Sequence, residues 1–146
     1  MITYEDIQEF MEEVDKARKP PLTVPQMVEI FAETMRQEKN PEMSANLLHE
    51  EYSEWLKEWE LSSPLCTGMN YPSPSPEREL KELADLTYVI YGYARARGWD
   101  LDEAVRRVHQ NNIDRCVQPD GSVKYRADGK VIKRDNPPKI DLSDLV

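Results

Sequence analysis

Four acids stand in two pairs, Glu51 with Glu54 and Glu82 with Asp85. Residues three apart on a helix are neighbours one turn apart. The first pair lies in Leu47-Leu48-His49-Glu50-Glu51-Tyr52-Ser53-Glu54-Trp55, which reads as helix. On a wheel of about 100° per residue, Leu47 and Glu54 fall to one side of Glu51 and Leu48, Trp55 and Trp59 to the other. The acids therefore border an apolar stripe. Carboxylates held together there repel one another and lose hydration. A hard divalent cation is the usual compensation. In the second pair, Glu82 heads the row Leu86, Val89, Tyr93 on a helix that also carries Leu80, Leu83 and Ile90. A helix apolar around most of its circumference is expected to be central and buried.

Two such helices packed side by side would bring the four carboxylates to one site. Oxygen ligands of this kind bind Mg²⁺ or Mn²⁺. Metals so held can clamp a polyphosphate, polarise phosphorus and activate water. A di-iron bundle would need Glu-x-x-His pairs. Here the second pair ends in Asp85, and His109 has Arg106 where the Glu would stand. With two Cys and two His in the chain, a zinc site is not expected. Asn112 interrupts the apolar row Leu101, Val105, Val108, Cys116, and a buried amide there would need a partner. A tail rich in Lys and Arg, after Pro119, could supply cations to phosphate oxygens.

These side chains must be positioned by helices. Helical spacing of Ile7, Phe10, Met11 and Val14 predicts a helix over 4–18, ended by Lys19-Pro20-Pro21. Thr23-Val24-Pro25-Gln26 has the form of a capping box, opening a helix over 24–38. A third helix opens at Pro41 or Ser44 and runs to about Leu61. Residues 62–76 form a proline-rich connection. Ser75 and Pro76 start a fourth helix that stops at Gly98. Asp100-Leu101-Asp102-Glu103 caps a fifth, over 101–117. Asp120-Gly121 and Asp128-Gly129 suggest hairpin or turns, and Pro137-Pro138 begins an extended end.

The expected fold is all-α: a single domain over 1–146, a bundle of about five helices with a four-helix core and a basic C-terminal tail over 118–146. The net charge of −9 argues against nucleic-acid binding. No apolar run reaches membrane-span length. Two unpaired cysteines, Cys66 and Cys116, and no signal peptide suggest a reducing, cytoplasmic setting.

The arrangement Glu51-x-x-Glu54 followed by Glu82-x-x-Asp85, with 27 residues between Glu54 and Glu82, resembles the all-α nucleoside triphosphate pyrophosphohydrolases. That superfamily holds MazG, the dimeric dUTPases and phosphoribosyl-ATP pyrophosphohydrolase. Leu83-Ala84-Asp85-Leu86-Thr87-Tyr88-Val89-Ile90-Tyr91-Gly92 looks like its second metal helix. His109-Gln110-Asn111-Asn112-Ile113-Asp114-Arg115, then Asp120-Gly121 and Tyr125-Arg126-Ala127-Asp128-Gly129-Lys130-Val131-Ile132-Lys133, resemble the ending of a MazG-like branch. The chain departs at Ile113 and Arg115, where that branch usually has Met and Lys.

The resemblance implies cleavage between the α- and β-phosphates of a nucleoside triphosphate. It implies Glu51, Glu54, Glu82 and Asp85 as ligands of about two or three Mg²⁺ ions, with Mn²⁺ as substitute. It makes Glu50 a candidate base for the attacking water and adds Glu51 and Glu54 to the catalytic set. Asn112 would contact the nucleotide, and Arg115, Tyr125, Lys130 and Lys133 the nucleotide or its phosphates. A homodimer or dimer of dimers is implied. The leading substrates are dGTP and dUTP, and the MazG-like tail disfavours phosphoribosyl-ATP. The reading from a different class is a non-catalytic acidic helical module, regulatory or partner-binding, with a structural metal site. Taken singly, a Glu pair at this spacing is usually a solvated face, and the lysines ordinary solubilising charges.

Overall fold

The computed structural model describes residues 3–17, 20–63 and 71–146. Cys66, and most of the proline-rich connection, lie outside the described residues. Five helices follow one another: α1 (Tyr4–Ala17), α2 (Val24–Thr34), α3 (Pro41–Leu61), α4 (Pro76–Arg97) and α5 (Leu101–Cys116). A short 3-10 turn, Ser143–Leu145, closes the tail. The fold is all-helical, as the periodicity predicts.

Local chemistry sets most of the boundaries. The Thr23 hydroxyl accepts from the Gln26 N–H, and the Gln26 side chain accepts from the Thr23 N–H, completing a capping box. Asn40, Ser75 and Asp100 side chains each accept a backbone N–H in the first turn of α3, α4 and α5. Gly98, at φ 74°, ends α4 in the left-handed region. The expected helix over 24–38 is shorter, because the chain leaves α2 at Thr34. Arg36 takes φ 53°, the Gln37 N–H returns to the Ala32 carbonyl at 2.8 Å, and the Thr34 hydroxyl donates to the Ile30 carbonyl. This is a Schellman-type stop built without glycine. Nothing in the sequence marks it.

α3 and α4 form an antiparallel pair. Glu51 of α3 faces Glu82 and Asp85 of α4, and two turns further on Glu58 reaches back to Arg78. α2 lies across α4. The Tyr88 hydroxyl donates to the Met27 carbonyl, Arg95 forks onto Glu29 (Nε–Oε2 2.6 Å, Nη2–Oε1 3.1 Å), and the Phe31 and Tyr88 rings meet edge to face. α5 anchors the tail. Arg107 donates to both carboxylate oxygens of Asp144 and to the Asp141 carbonyl, and the Asp100 N–H donates to the Leu145 carbonyl. Two isolated antiparallel bridges, Val117 with Val123 and Tyr125 with Val131, flank the two Asp-Gly turns, so the hairpin expectation holds in minimal form.

Two expectations about burial need correction. α4 is central, packing against both α2 and α3, but it is not enclosed. Leu80, Leu83 and Ile90 are exposed along one face, at helical spacing. Asn112 is exposed, and the buried amide is Asn111, whose Nδ2 donates to the Pro138 carbonyl at 3.1 Å. The Pro137-Pro138 segment crosses α5 on the Asn111 side and leaves the row Val105, Val108, Asn112 open. Every described α1 side chain, Ile7 included, is exposed; those of Phe10, Met11 and Val14 lie outside the described part.

The left-handed Arg36 yields a stability prediction. A non-glycine residue there is disfavoured by about 1 kcal/mol or more. Arg36→Gly should therefore stabilise the protein by about 1 kcal/mol, less the added freedom of glycine in the unfolded chain. Urea unfolding reads this directly, and a clear loss of stability would contradict the turn geometry.

Candidate active site

Three of the four acids, Glu51, Glu82 and Asp85, converge at the α3–α4 seam. Carboxylate oxygens of Glu51, Glu82 and Asp85 all lie within 4.8 Å of one another. Helical spacing puts Glu82 and Asp85 on successive turns of α4, and the antiparallel pairing brings Glu51 opposite. Among the described residues, Glu51 Oε2 and Glu82 Oε2 are buried without a hydrogen-bond partner. A buried, unsatisfied carboxylate oxygen is costly in a soluble protein.

Glu54 is half-buried one turn along α3 and is not among the three clustered residues, but its charge is felt by Glu51. Burial, first, and the charges of Glu54, Asp85 and Glu82 push the Glu51 carboxyl above the usual 4.5; Lys81 pulls the other way. Lys81 was not singled out by sequence. Its ammonium sits 2.8 Å from Asp85 Oδ2 and 3.2 Å from Glu82 Oε1, which raises its own pKa. The i, i+4 spacing of Lys81 and Asp85 is the signal that could have found it.

Partly buried carboxylates with orphaned oxygens fit a hard divalent cation. All the donors are oxygen, and a positive charge at their focus would relieve both the repulsion and the missing hydrogen bonds. Lys81, the cation paired with them among the described residues, is itself well exposed.

The other predicted residues lie elsewhere. Glu50 is exposed on α3 outside the cluster. Asn112 is exposed and Arg115 half-buried on α5, while Tyr125, Lys130 and Lys133 are exposed on the hairpin. The hairpin folds back on α5, where the Arg134 N–H donates to the Arg115 carbonyl at 2.8 Å. None of these five lines the cavity that opens beside the acids.

That cavity, of about 240 Å³, runs between α2, α3 and α4. Glu51 and Asp85 stand at one end. Val28, Phe31, Leu47, Tyr88 and Val89 form its apolar walls, and Gln37, Glu38 and Arg95 also line it. A concave apolar site with a few polar groups, beside Glu51 with its raised pKa, has the form of a small-molecule site.

The model of the phosphoribosyl-ATP pyrophosphohydrolase family matches residues 5–112, which include both acidic pairs and every residue lining this cavity. The chain belongs to the phosphoribosyl-ATP pyrophosphohydrolase family. Membership implies pyrophosphohydrolase activity on a nucleotide, hence a hydrolase acting on an acid anhydride. It also places the chain in the MazG-like all-α superfamily that the acid motifs indicate. The tail, used above to disfavour phosphoribosyl-ATP, begins beyond the matched segment. No curated protein matches the chain. The family is typically dependent on a divalent metal, consistent with the carboxylate cluster. Among the described residues no helix is long and apolar enough to cross a membrane.

The repulsion at the seam predicts a trade of stability for binding. Because the fold raises the Glu51 pKa, the ionised form is penalised at neutral pH and the penalty vanishes below the usual carboxylate range. Glu51→Gln should raise Tm by a few degrees in chelator at about pH 7.5, with the gain gone near pH 4. The same variant should lose most of the Tm increase that Mg²⁺ or Mn²⁺ gives the parent protein. A variant that is destabilised in chelator at neutral pH would refute the account.

Proposed function

We propose that this protein is a metal-dependent nucleoside triphosphate pyrophosphohydrolase that converts a (deoxy)nucleoside triphosphate and water to the monophosphate and pyrophosphate, shaping or sanitising a nucleotide pool. The convergence of Glu51, Glu82 and Asp85, with two orphaned oxygens, is the observation that carries this reading in a chain of this family. Water adds to phosphorus at the α–β bridge, the bridging P–O bond breaks, and pyrophosphate departs with the electron pair. Glu51, Glu54, Glu82 and Asp85 would hold the Mg²⁺ or Mn²⁺ ions, which when bound supply neutralising charge and a polarised phosphorus. Glu50, on the exposed flank of α3, receives the proton of the attacking water at its carboxylate. Asn112 holds the nucleotide, and Arg115, Tyr125, Lys130 and Lys133 bind phosphate oxygens.

A homodimer or dimer of dimers belongs to the same reading. The single chain exposes 12095 Å², whereas a compact monomer of 17.0 kDa exposes about 7,700 Å². That excess of about 4,400 Å² is per chain, more than one subunit usually gives up in a single obligate interface, so it leaves room for one such contact or several. Leu80, Leu83 and Ile90 of α4, and Val105, Val108 and Ile113 of α5, are the exposed apolar rows such a partner would cover. The polar residues of α5 and the hairpin, absent from their own cavity, would then serve that of a second copy.

The substrates favoured are dGTP and dUTP. A second reading, phosphoribosyl-ATP, is favoured by the name of the matching family. Pyrophosphate release from a panel of dNTPs, NTPs and phosphoribosyl-ATP, with Mg²⁺ or Mn²⁺, separates them. Glu54→Ala and Asp85→Ala should each lower kcat by at least a hundredfold with the fold intact, as expected for loss of a metal ligand. Absence of turnover on every nucleotide, from folded metal-bound protein, would replace the enzyme by an acidic binding module with a structural metal.

For assembly, sedimentation should give a mass that is a multiple of 17.0 kDa, and Leu83→Glu combined with Ile90→Glu should reduce it to the single chain. A parent protein that sediments as one chain would overturn the oligomer.

A further inference from the structure

Gly92 lies in the middle of α4, at a position where glycine weakens a helix by about 1 kcal/mol relative to alanine. A Cβ built there meets nothing within 4 Å. Packing within the chain therefore does not demand glycine. Yet Gly92 lines the cavity between α2, α3 and α4, and a side chain there would project into that space. The cavity is continuous with the acids, since Glu51 and Asp85 line its near end. Its α4 wall runs from Asp85 to Ala96, about 16 Å of helix. A volume of about 240 Å³ accommodates one planar ring system.

We propose that this cavity holds the base of the nucleotide and that Gly92 determines which bases fit, by leaving the depth of the pocket open. The inference rests on the nucleotide reading above and specifies how that site chooses its substrate. Phosphates would lie toward Glu51 and Asp85, and the base between the Phe31–Tyr88 wall and α4. Phe31 and Tyr88 meet edge to face with centroids 5.9 Å apart, which fixes the shape of that wall. Gln37, Glu38 and Arg95 add polar groups to the lining: Glu38 offers acceptors, Gln37 one acceptor and an NH2 donor, and Arg95 commits Nε and Nη2 to Glu29 but has further N–H donors. A hydrogen-bonding edge of this kind discriminates far more strongly than an apolar wall.

The test is the series Gly92→Ala, Gly92→Val and Gly92→Leu, with each variant checked for Tm, sedimentation and the Tm shift given by Mn²⁺. All three should stay folded, assembled and responsive to the metal, because the substitution fills empty space more than one turn from the acids. KM for the preferred triphosphate should rise with side-chain size, at least tenfold for Leu, with a smaller change in kcat. Calorimetric binding of the matching nucleoside, which has no phosphate and needs no metal, should weaken in the same order. That binding is read without turnover, so it separates failure of the pocket from failure of the hydrolase reading. Unchanged KM and unchanged nucleoside binding in folded Gly92→Leu would overturn the pocket. Loss of assembly in Gly92→Leu would give the space to a neighbouring subunit and overturn it too.

Discussion

Like charges forced together at a helix seam are the constraint from which the rest of this structure follows. The antiparallel pairing of α3 and α4 would be more stable with Leu at Glu51 and Glu82. Instead each keeps one buried oxygen without a partner. Such a defect persists only where the surrounding structure over-determines it. Here that support is the flanking seam: Glu58 with Arg78 on one side, and the α2–α4 contacts through Tyr88 and Arg95 on the other. Lys81 offsets part of the repulsion but is exposed, so it neutralises the acids without sealing them. The cluster is therefore open to a cation that the fold itself does not supply.

The same economy of packing governs the outer elements. Val28, Ala32 and Ala94 are the buried apolar residues among those described, and none is sealed completely. A chain of this length cannot balance its conformational entropy on so small a core. α2, α3 and α4 hold together around the cavity and the seam, while α5 and the tail hold together through Arg107, Asp144 and Asn111. The apolar rows left between these groups are where further burial has to come from. A site of about 240 Å³ lies below the usual size of a ligand pocket.

What was legible in the sequence was what a few neighbouring residues decide. The caps at Thr23, Asn40, Ser75 and Asp100 and the glycine stop at Gly98 are local chemistry, and they set most helix boundaries. The pairing of Glu51 with Glu82 and Asp85 was legible because spacing puts each set on one helical face. The end of α2 was not, since Arg36 adopts a conformation that the residue type argues against. The exchange of Asn112 for Asn111 was not, because which side of α5 the tail crosses is decided by Pro138, many residues away. The open face of α4 was not, because periodicity reports what is apolar and never what covers it.

The cavity is the strongest case of this limit. Its residues come from three helices, and no two neighbouring positions announce it. Phe31, Tyr88 and Leu47 read as ordinary core residues, and Gly92 as a weak point in a helix. Only the crossing of α2 over the α3–α4 pair turns them into a wall and a gap. The acids are a matter of charge, which sequence spacing conveys. Selectivity is a matter of shape, which depends on how three helices lean on one another. A family model can therefore match residues 5–112, both acidic pairs included, without conveying the shape that three helices enclose.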